Sequence, residues 1–387
     1  MPWKGQTVEQ RREEFVARVL AGAASKAALC REYGISRPTG DKWLARHSAG
    51  EGMGDRSRRP FRTPNRIDGA VEAAIVALRR ERPAIGAKKL KKMLENQGIA
   101  APAHSTVNAV LHRHGLITKE ASAAAKPHIR FEMPVPNRLW QMDFKGHFAM
   151  NDAARCHPLT VVDDHSRFCV GLDAHANERF PGVRDSLKRT FEQYGLPDAV
   201  LCDNGNPWGT SQSTGYSQCE VWLMDLGILV KHGRIRHPQT QGKNERFNGS
   251  LLRECIKERV CDNLPDAQKI FDDYRHFYNH RRPHHALDLN TPAARYSPSN
   301  RALPSVIPEW DYGQNAFVRK VKSSGYLTFR GQGYFLSESL ADRPVAVIED
   351  AKDLFLVLYR QFCIAKLSVD NRHLIAKSAF IHTPTVT

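Results

Sequence analysis

The sequence has 387 residues, of which 41% are hydrophobic, and its formal net charge is +16. A chain of this length can bury hydrophobic cores in roughly two to four domains, which excludes a wholly disordered protein. It has no run of 18 apolar residues and no apolar segment near its start, so we expect neither a membrane-spanning helix nor a secretory signal. The eight cysteines form no CxxC pair, which argues against a zinc site or a disulfide framework and fits a reducing cytoplasm.

The positive charge is concentrated in the first third of the chain. Residues 1–130 contain 25 Lys and Arg against 12 Asp and Glu, a balance of +13 out of the total of +16. A basic region joined to a nearly neutral one indicates that part of the chain binds an anionic partner, most commonly nucleic acid. The alternative is a set of basic helices whose charges are simply solvated.

Residues 1–49 have the pattern of a helix-turn-helix unit. Ser25 and Ser36 are each placed to cap a helix, Gly34 breaks the chain between these helices, and Trp43 is expected on a buried face. This order of elements is typical of DNA-binding units whose last helix enters the major groove, although it also fits an ordinary three-helix bundle. In the DNA-binding interpretation, the residues offered to the groove are Arg37, Thr39, Lys42 and Arg46.

Residues 50–66 lack an apolar period and are rich in Gly, Pro and Arg, which predicts a basic linker. Arg58 and Arg59 lie in this linker and are candidates for contacts with DNA phosphates. The segment could equally be a solvated connector.

Residues 67–117 predict a second helix-turn-helix-like unit, in which Ser105 caps the last helix. A cluster of lysines in this unit is expected to meet phosphates and to contribute affinity rather than base selectivity. The lysines concerned are Lys88, Lys89 and Lys92. Residues 118–132 have little pattern and predict a second linker.

Residues 133–298 predict a mixed α/β domain. Three strand-like segments come first, and strands then alternate with helices, a pattern typical of a mixed sheet. The predicted strands are 139–144, 159–164, 168–172, 199–202 and 228–230. The predicted helices cover 183–194 and 221–226, and a long one begins at Asn244.

Residues 299–387 predict a small all-β domain. Five short apolar segments separated by polar turns could close into a small barrel. These segments are 317–321, 326–329, 334–336, 344–348 and 355–359.

Three acidic residues stand at the ends of predicted elements in the α/β domain. Asp143 lies within an apolar strand, Asp203 follows a buried strand, and Glu245 begins a helix. Each acid alone fits an ordinary role, since Asp203 precedes the turn-forming Asn204-Gly205 and Glu245 suits the first turn of a helix. Carboxylates in apolar surroundings are costly to bury unless they are paired or hold a metal ion. Hard oxygen ligands of this kind suit Mg²⁺ or Mn²⁺, and a pair of such ions supports attack on a phosphodiester.

Several motifs together resemble the integrase core of retroviral-type integrases and bacterial insertion-sequence transposases. The motifs are Leu139-Trp140-Gln141-Met142-Asp143, Asp163-Asp164-His165-Ser166-Arg167, Asp203-Asn204-Gly205, His237-Pro238-Gln239-Thr240-Gln241-Gly242 and Tyr278-Asn279-His280-Arg281-Arg282-Pro283-His284. The resemblance implies an RNase H-like fold and an Asp-Asp-Glu site for two Mg²⁺ or Mn²⁺ ions, with the acids carried over to Asp143, Asp203 and Glu245. The spacing between the last two acids is longer than in the family pattern, and we assign the extra length to 208–218.

Other polar residues of the domain have less specific interpretations. Asp163 and Asp164 are interpreted as turn and packing residues, because in the family the catalytic acid lies on the preceding strand. His276 and His280 lack a third metal ligand and are interpreted as a solvated helix face. Arg281 and Arg282 are DNA-contact candidates, and the alternative is that they form a polar helix end.

The resemblance implies a DNA transposase that cleaves the 3′ ends of an insertion sequence and joins them to target DNA. Its partners would be double-stranded transposon and target DNA, and the need to hold two ends implies a homo-oligomer. Such a protein is expected in the bacterial cytoplasm, at the nucleoid. The alternatives are a sequence-specific repressor, which has no need of the three acids, and a plain nuclease, which has no need of two DNA-reading units.

Overall fold

The computed structural model describes residues 7–57, 67–117, 132–209, 215–233, 242–314, 316–370, 373–376 and 380–381. Residues 1–66 and 67–387 form two compact units. Arg58 and Arg59, and the residues 237–241 of the predicted motif, lie outside the described residues. No helix of the described part of the chain is long and apolar enough to cross a membrane.

The first unit consists of three helices, as the sequence predicts. They are α1 (Val8–Leu20), α2 (Lys26–Glu32) and α3 (Arg37–Ser48). Ser25 and Ser36 cap α2 and α3 through bonds from the backbone N–H three residues later, and Thr7 caps α1 in the same way. The apolar faces of the three helices share one small core with Met53.

The start of the predicted linker packs against this unit rather than standing free. Met53 is buried in the core, and the Arg12 guanidinium donates to its carbonyl at 2.8 Å. Arg46 donates to the carbonyls of Gly52 at 2.6 Å and Gly54 at 3.0 Å. The compact unit therefore extends beyond residue 49, where the sequence placed its end.

The second unit begins with three further helices, α4 (Gly69–Glu81), α5 (Ala87–Asn96) and α6 (His104–Arg113). The prediction that Ser105 caps the last helix is wrong, since α6 begins at His104 and Ala103 is its N-cap without a side-chain bond. The buried side chains of these helices belong to one hydrophobic cluster with residues of the following α/β domain, such as Phe247 and Phe271. The helices are thus part of a larger body.

The α/β domain is built on a six-stranded mixed sheet. Its strands are β1 (Trp140–Phe144), β2 (Phe148–Ala149), β3 (Arg155–Asp163), β4 (Cys169–His175), β5 (Ala199–Cys202) and β6 (Leu229–His232). The order along the sheet is β2-β3-β1-β5-β6, and β4 pairs with β3. Its helices are α7 (Phe180–Tyr194), α8 (Gln218–Asp225), α9 (Gly242–Glu254) and α10 (Leu264–His280). The predicted mixed sheet is confirmed, with β1 at its centre between an antiparallel and a parallel neighbour.

The C-terminal strands form an open antiparallel sheet and a separate hairpin. The strands are β7 (Phe317–Lys320), β8 (Tyr326–Phe329), β9 (Gln332–Phe335), β10 (Pro344–Ala351), β11 (Leu354–Tyr359), β12 (Phe362–Ser368), β13 (His373–Ala376) and β14 (Phe380–Ile381). The larger sheet has the order β13-β12-β11-β10-β7 with β14 against β12, and β8 pairs only with β9. The five predicted strands are present, but among the described residues the sheets do not close into the predicted barrel.

The C-terminal sheet is packed onto the α/β domain. Tyr216, Val221 and Met224 of that domain lie in the hydrophobic core of the sheet. Asp225, at the end of α8, is buried and forms ion pairs with Arg343 at 3.2 Å and Arg360 at 3.2 Å. Apolar packing and buried charge pairing therefore join the two parts.

Candidate functional site

Two of the three predicted acids lie side by side on the central strands. β1 and β5 run parallel, with Gln141 opposite Leu201. Asp143 and Asp203 each follow two residues later, so both stand at the same level where the two strands end. Neighbouring strands are about 4.8 Å apart, which brings the two carboxylates close together.

The electrostatics of Asp143 reflect this proximity. Its side chain is half-buried, and burial, followed by the nearby charge of Asp203, raises its pKa from 3.8 to about 7. The Asn248 amide donates to Asp143 Oδ2 at 2.9 Å and partly opposes this rise. Asp203 itself is exposed, and its Oδ1 accepts the Gly205 N–H at 3.0 Å.

The third acid stands on a helix that is fixed against the same strand. The backbone N–H of Asn244 donates to Gln141 Oε1 at 3.1 Å, and Asn248 of the same helix reaches Asp143. Glu245 lies between these asparagines in the first turn of α9 and is exposed. Residues three apart on a helix have Cβ atoms about 5–6 Å apart, so Glu245 is a near neighbour of the amide that contacts Asp143.

The described residues contain no group of three or more His, Cys, Asp or Glu side chains placed to hold a metal ion. The structure thus brings Asp143 and Asp203 together but does not draw Glu245 into a ready cluster with them. The donor chemistry nevertheless fits a hard cation. Two carboxylates face each other, and the buried Oδ1 of Asn248 beside them has no hydrogen-bond partner among the residues that the structure describes.

Asp163 and Asp164 lie at the other end of β1. Asp163 is opposite Trp140, at the beginning of the strand, and accepts the backbone N–H groups of Asn137 and Ser166, each at 2.8 Å. Asp164 accepts the Gln141 amide at 2.9 Å. Both carboxylates are fully buried within turns and packing contacts, in agreement with the structural role that the sequence indicated.

A histidine absent from the sequence-based candidates contacts the Asp203 loop. His232, which is opposite Cys202 on β6, donates from Nδ1 to the Asp203 carbonyl at 2.8 Å and from Nε2 to Glu220 Oε1 at 2.9 Å. Both partners can only accept, so the ring donates from both nitrogens. Burial lowers the pKa of His232, but its hydrogen bonds to Glu220 and Asp203 outweigh burial and raise it above the usual value.

The predicted DNA-contact residues of α3 fall into two groups. Arg37 and Lys42 are exposed, and Thr39 is half-buried beside the capping Ser36. Arg46 was predicted wrongly as a groove residue. Its side chain is only 13% exposed, and its two terminal guanidinium nitrogens are bonded to the carbonyls of Gly52 and Gly54 within the unit.

Two of the three predicted lysines of α5, Lys88 and Lys89, line an open cleft of about 570 Å³. Lys88 is exposed, whereas Lys89 and Lys92 are half-buried. Burial and the nearby charge of Arg282 lower the pKa of Lys89 to about 8. The cleft lies at the N-terminal ends of α5 and α6, and it is lined by Gly86, Ala87, Lys88, Lys89, His104, Ser105, Asn108 and His285.

The two arginines after α10 have different environments. Arg281 is exposed. Arg282 is buried and donates to both oxygens of Glu254, at 2.7 Å and 2.6 Å, with both side chains 7% exposed. The prediction that Arg282 contacts DNA is therefore wrong, because its guanidinium is enclosed in a buried ion pair.

Comparisons with known proteins agree with this architecture. Two models described as an integrase core domain match residues 134–238 and 226–292. The chain contains an integrase core. Models of a helix-turn-helix domain and a homeodomain-like domain match residues 11–61 and 39–111. The integrase core thus carries the mixed sheet, and the predicted RNase H-like class of its fold is confirmed.

Several relatives of this chain come from insertion elements. An uncharacterized protein of insertion element IS476 from Xanthomonas euvesicatoria is 27% identical over 78% of this chain and 83% of its own length. A transposase for insertion sequence element IS904 from Lactococcus lactis is 24% identical over 54% of this chain and 85% of its length. These findings confirm the predicted resemblance to insertion-sequence transposases.

Among solved structures, the HTLV-2 integrase catalytic core domain in complex with magnesium matches 42% of this chain and 97% of that chain. Its sequence identity is 17% and its TM-score is 0.34, a similarity too low to carry a conclusion.

Proposed function

We propose that this protein is a transposase that cleaves the 3′ ends of an insertion sequence and transfers them to target DNA, with Asp143, Asp203 and Glu245 as its catalytic acids. The observation that carries the proposal is the pair of carboxylates at the ends of β1 and β5. This pair lies beneath the helix on which Glu245 stands. A repressor needs no such arrangement.

The three acids would hold two Mg²⁺ or Mn²⁺ ions, since carboxylate oxygens are the preferred ligands of both metals. When bound, such ions activate the attacking hydroxyl and neutralise charge on the phosphodiester. The residues of the chain prepare this site. Asn248 orients one oxygen of Asp143, and the turn at Gly205 fixes Asp203 Oδ1. Glu245 is exposed in the first turn of the same helix as Asn248 and would complete the set of ligands.

The helical parts would supply the DNA contacts. Arg37, Thr39 and Lys42 of α3 would meet a major groove, and the exposure of the two cations to solvent supports this role. The cleft beside Lys88 and Lys89 has no acidic side chain in its lining and suits a phosphate. Lys92 and Arg281 would add phosphate contacts. Since two DNA ends must be held at once, the active form would be a homo-oligomer.

The test uses labelled DNA that carries the sequences flanking the gene, with Mg²⁺ and an unlabelled target. We expect wild-type protein to produce both cleaved ends and joined products, and Asp203→Asn to produce neither while binding DNA nearly as well as wild type. The control is Asp198→Asn, because Asp198 precedes the same strand in an exposed ion pair with Arg138 and should tolerate the change.

Each other outcome has a meaning. Cleavage without joining would indicate a nuclease, and binding without either reaction would indicate a repressor. Full activity of Asp203→Asn would remove Asp203 from the site.

A further inference from the structure

The turn that carries Asp203 is joined to the segment after β6, since the Asn204 amide donates to the Gly233 carbonyl at 3.2 Å. Asp203 follows the last residue of β5 and is exposed, and its carboxylate accepts a bond from Gly205 within the same turn. A catalytic carboxylate must be held to within a fraction of an ångström, which a short exposed turn does not achieve alone. The position of the Asp203 backbone therefore depends on the neighbouring strand β6.

His232 provides that connection. It is paired with Cys202 in the parallel register of β5 and β6, one residue before Asp203. Its ring spans from the Asp203 carbonyl at 2.8 Å to the Glu220 carboxylate at 2.9 Å. An imidazole that donates from both nitrogens is fixed in its plane, because neither partner can change its role as an acceptor.

Glu220 is itself held rigidly at the start of α8. Its side chain is 9% exposed, and its Oε2 accepts the Ser217 N–H at 2.6 Å. Ser217 in turn accepts the Glu220 N–H at 3.1 Å, so the two residues form a capping box. The Ser217 hydroxyl also donates to the Trp208 carbonyl at 3.0 Å, on the other side of the Asp203 turn.

The C-terminal part of the chain also holds the start of α8 in place. Tyr216, the residue before Ser217, donates from its hydroxyl to the Ile364 carbonyl at 2.6 Å. Its backbone N–H donates to Ser337 Oγ at 3.0 Å, and Ser337 Oγ donates to its carbonyl at 2.8 Å. The first turn of α8 is thus fixed between the C-terminal sheet and His232.

We infer that His232 and Glu220 are positioning residues that hold Asp203 for the reaction. We call this hydrogen-bonded pair the His232–Glu220 bracket, and the C-terminal sheet stabilises it through Tyr216. The inference rests on the proposed function, since it gives Asp203 a reaction to serve. Neither residue contacts the reacting atoms. Their effect passes through the Asp203 backbone.

The test compares His232→Ala and Glu220→Gln with wild type in the full-length protein. We expect each variant to lower strand transfer about 10- to 100-fold, the usual effect of removing a group that orients a metal ligand. The affinity for Mn²⁺, measured by electron paramagnetic resonance without DNA, should fall in parallel. DNA binding should change little. Tm should fall in His232→Ala, because the buried Glu220 carboxylate loses its partner, and should fall less in Glu220→Gln, so both variants are assayed well below their Tm. The double variant should lose no more than the worse single variant, because both changes break one bracket.

His165→Ala is the matched control. His165 also donates to a backbone carbonyl, that of Met133 at 2.8 Å, and its side chain is 13% exposed. It lies in the turn after Asp163, which is opposite Trp140 at the start of β1, whereas Asp143 is near the other end of that strand. This variant should keep strand transfer and Mn²⁺ affinity. Added imidazole should restore part of the activity of His232→Ala, because the side chain is accessible at 25% exposure.

Two results would overturn the bracket. One is wild-type strand transfer and Mn²⁺ affinity in both variants, and the other is a loss of activity that follows a loss of Tm and does not respond to imidazole. The failure of the proposed function is recognised separately. In that case wild type and Asp203→Asn would give the same products.

Discussion

Asp143 illustrates how much a single residue and its neighbours in sequence can indicate. A carboxylate between Met142 and Phe144 requires compensation, and the sequence therefore predicted partners for it. The structure provides the Asn248 amide at 2.9 Å, and burial, followed by the nearby charge of Asp203, raises the pKa of Asp143 to about 7. The amide could not be identified in advance, because only the folding of α9 onto β1 brings these residues together.

The raised pKa of Asp143 predicts a pH-dependent stability of the metal-free protein. The folded state holds the proton up to about pH 7, whereas the unfolded state releases it near pH 3.8. Stability is therefore favoured at low pH and lost as pH rises through this window. Asp143→Asn removes the charge, so the variant should be more stable than wild type, and its advantage should be larger at pH 8 than at pH 4.5. Between these two pH values, the advantage in unfolding free energy should grow by on the order of 1–2 kcal/mol, which is seen as a larger difference in Tm at pH 8. Thermal melts with EDTA measure this difference, and an equal gain at both pH values would contradict it.

Arg282 shows what a local pattern cannot tell. In sequence it is one of two adjacent arginines at a helix end, and its partner Glu254 lies 28 residues earlier in the chain. The adjacent Arg281 is exposed, so side chains with the same chemistry have different roles.

Removal of Arg282 should destabilise the fold. Arg282→Ala leaves the Glu254 carboxylate buried without its partner, which costs about 3–5 kcal/mol. Arg281→Ala, the matched control, should change stability by less than about 0.5 kcal/mol and should weaken DNA binding instead. Urea unfolding followed by circular dichroism measures both. Equal stability of the two variants would mean that the Arg282–Glu254 pair contributes nothing to the fold.

At the scale of elements, local sequence signals such as serine caps and apolar segments predicted the helices and strands in which they occur. The serine caps of α2 and α3 and the apolar strands β1 and β5 agree with the structure within a residue or two. The strands β2, β12, β13 and β14 were missed. Three of them have four residues or fewer and pair with a longer strand, β3 or β12, whereas β12 itself (Phe362–Ser368) is a full-length strand that pairs with β11 and that the sequence analysis did not identify.

The end of α7 depends on a glycine that packing requires. Gly195 has φ 76° and ψ 179°, a conformation almost restricted to glycine, and a Cβ there would lie 2.5 Å from the Ser299 carbonyl oxygen. Gly195→Ala should therefore cost about 3 kcal/mol or more, because strain and a backbone clash act together. Gly98→Ala is the control, since Gly98 has φ +78° with nothing within 4 Å. It should cost only about 1–2 kcal/mol. Chemical unfolding of both variants tests the difference, which would vanish if Ser299 could move away freely.

At the scale of the whole molecule, the number of units was the hardest feature to predict. The sequence indicated that residues 67–117 form a domain of their own, because their helices have complete apolar faces. In the structure, 67–387 is one compact unit. The buried residues of α4, α5 and α6 share a cluster with Phe247 and Phe271, and the Arg82 guanidinium lies 4.0 Å from the Phe277 ring centre. An apolar face predicts burial but does not name the surface that covers it.

Truncation separates the two descriptions. A fragment of residues 67–387 keeps the shared cluster intact and should unfold cooperatively, with the Tm of the main transition of the full chain. A fragment of residues 132–387 loses the helices that cover the cluster around Phe277, so apolar surface becomes exposed. We expect it to lose about 2 kcal/mol or more, which lowers Tm by roughly 5 °C or more, and to bind a hydrophobic dye. Scanning calorimetry of both fragments provides the measurement. If the shorter fragment melted at the same temperature, residues 67–117 would be an independent domain, as their sequence alone indicated.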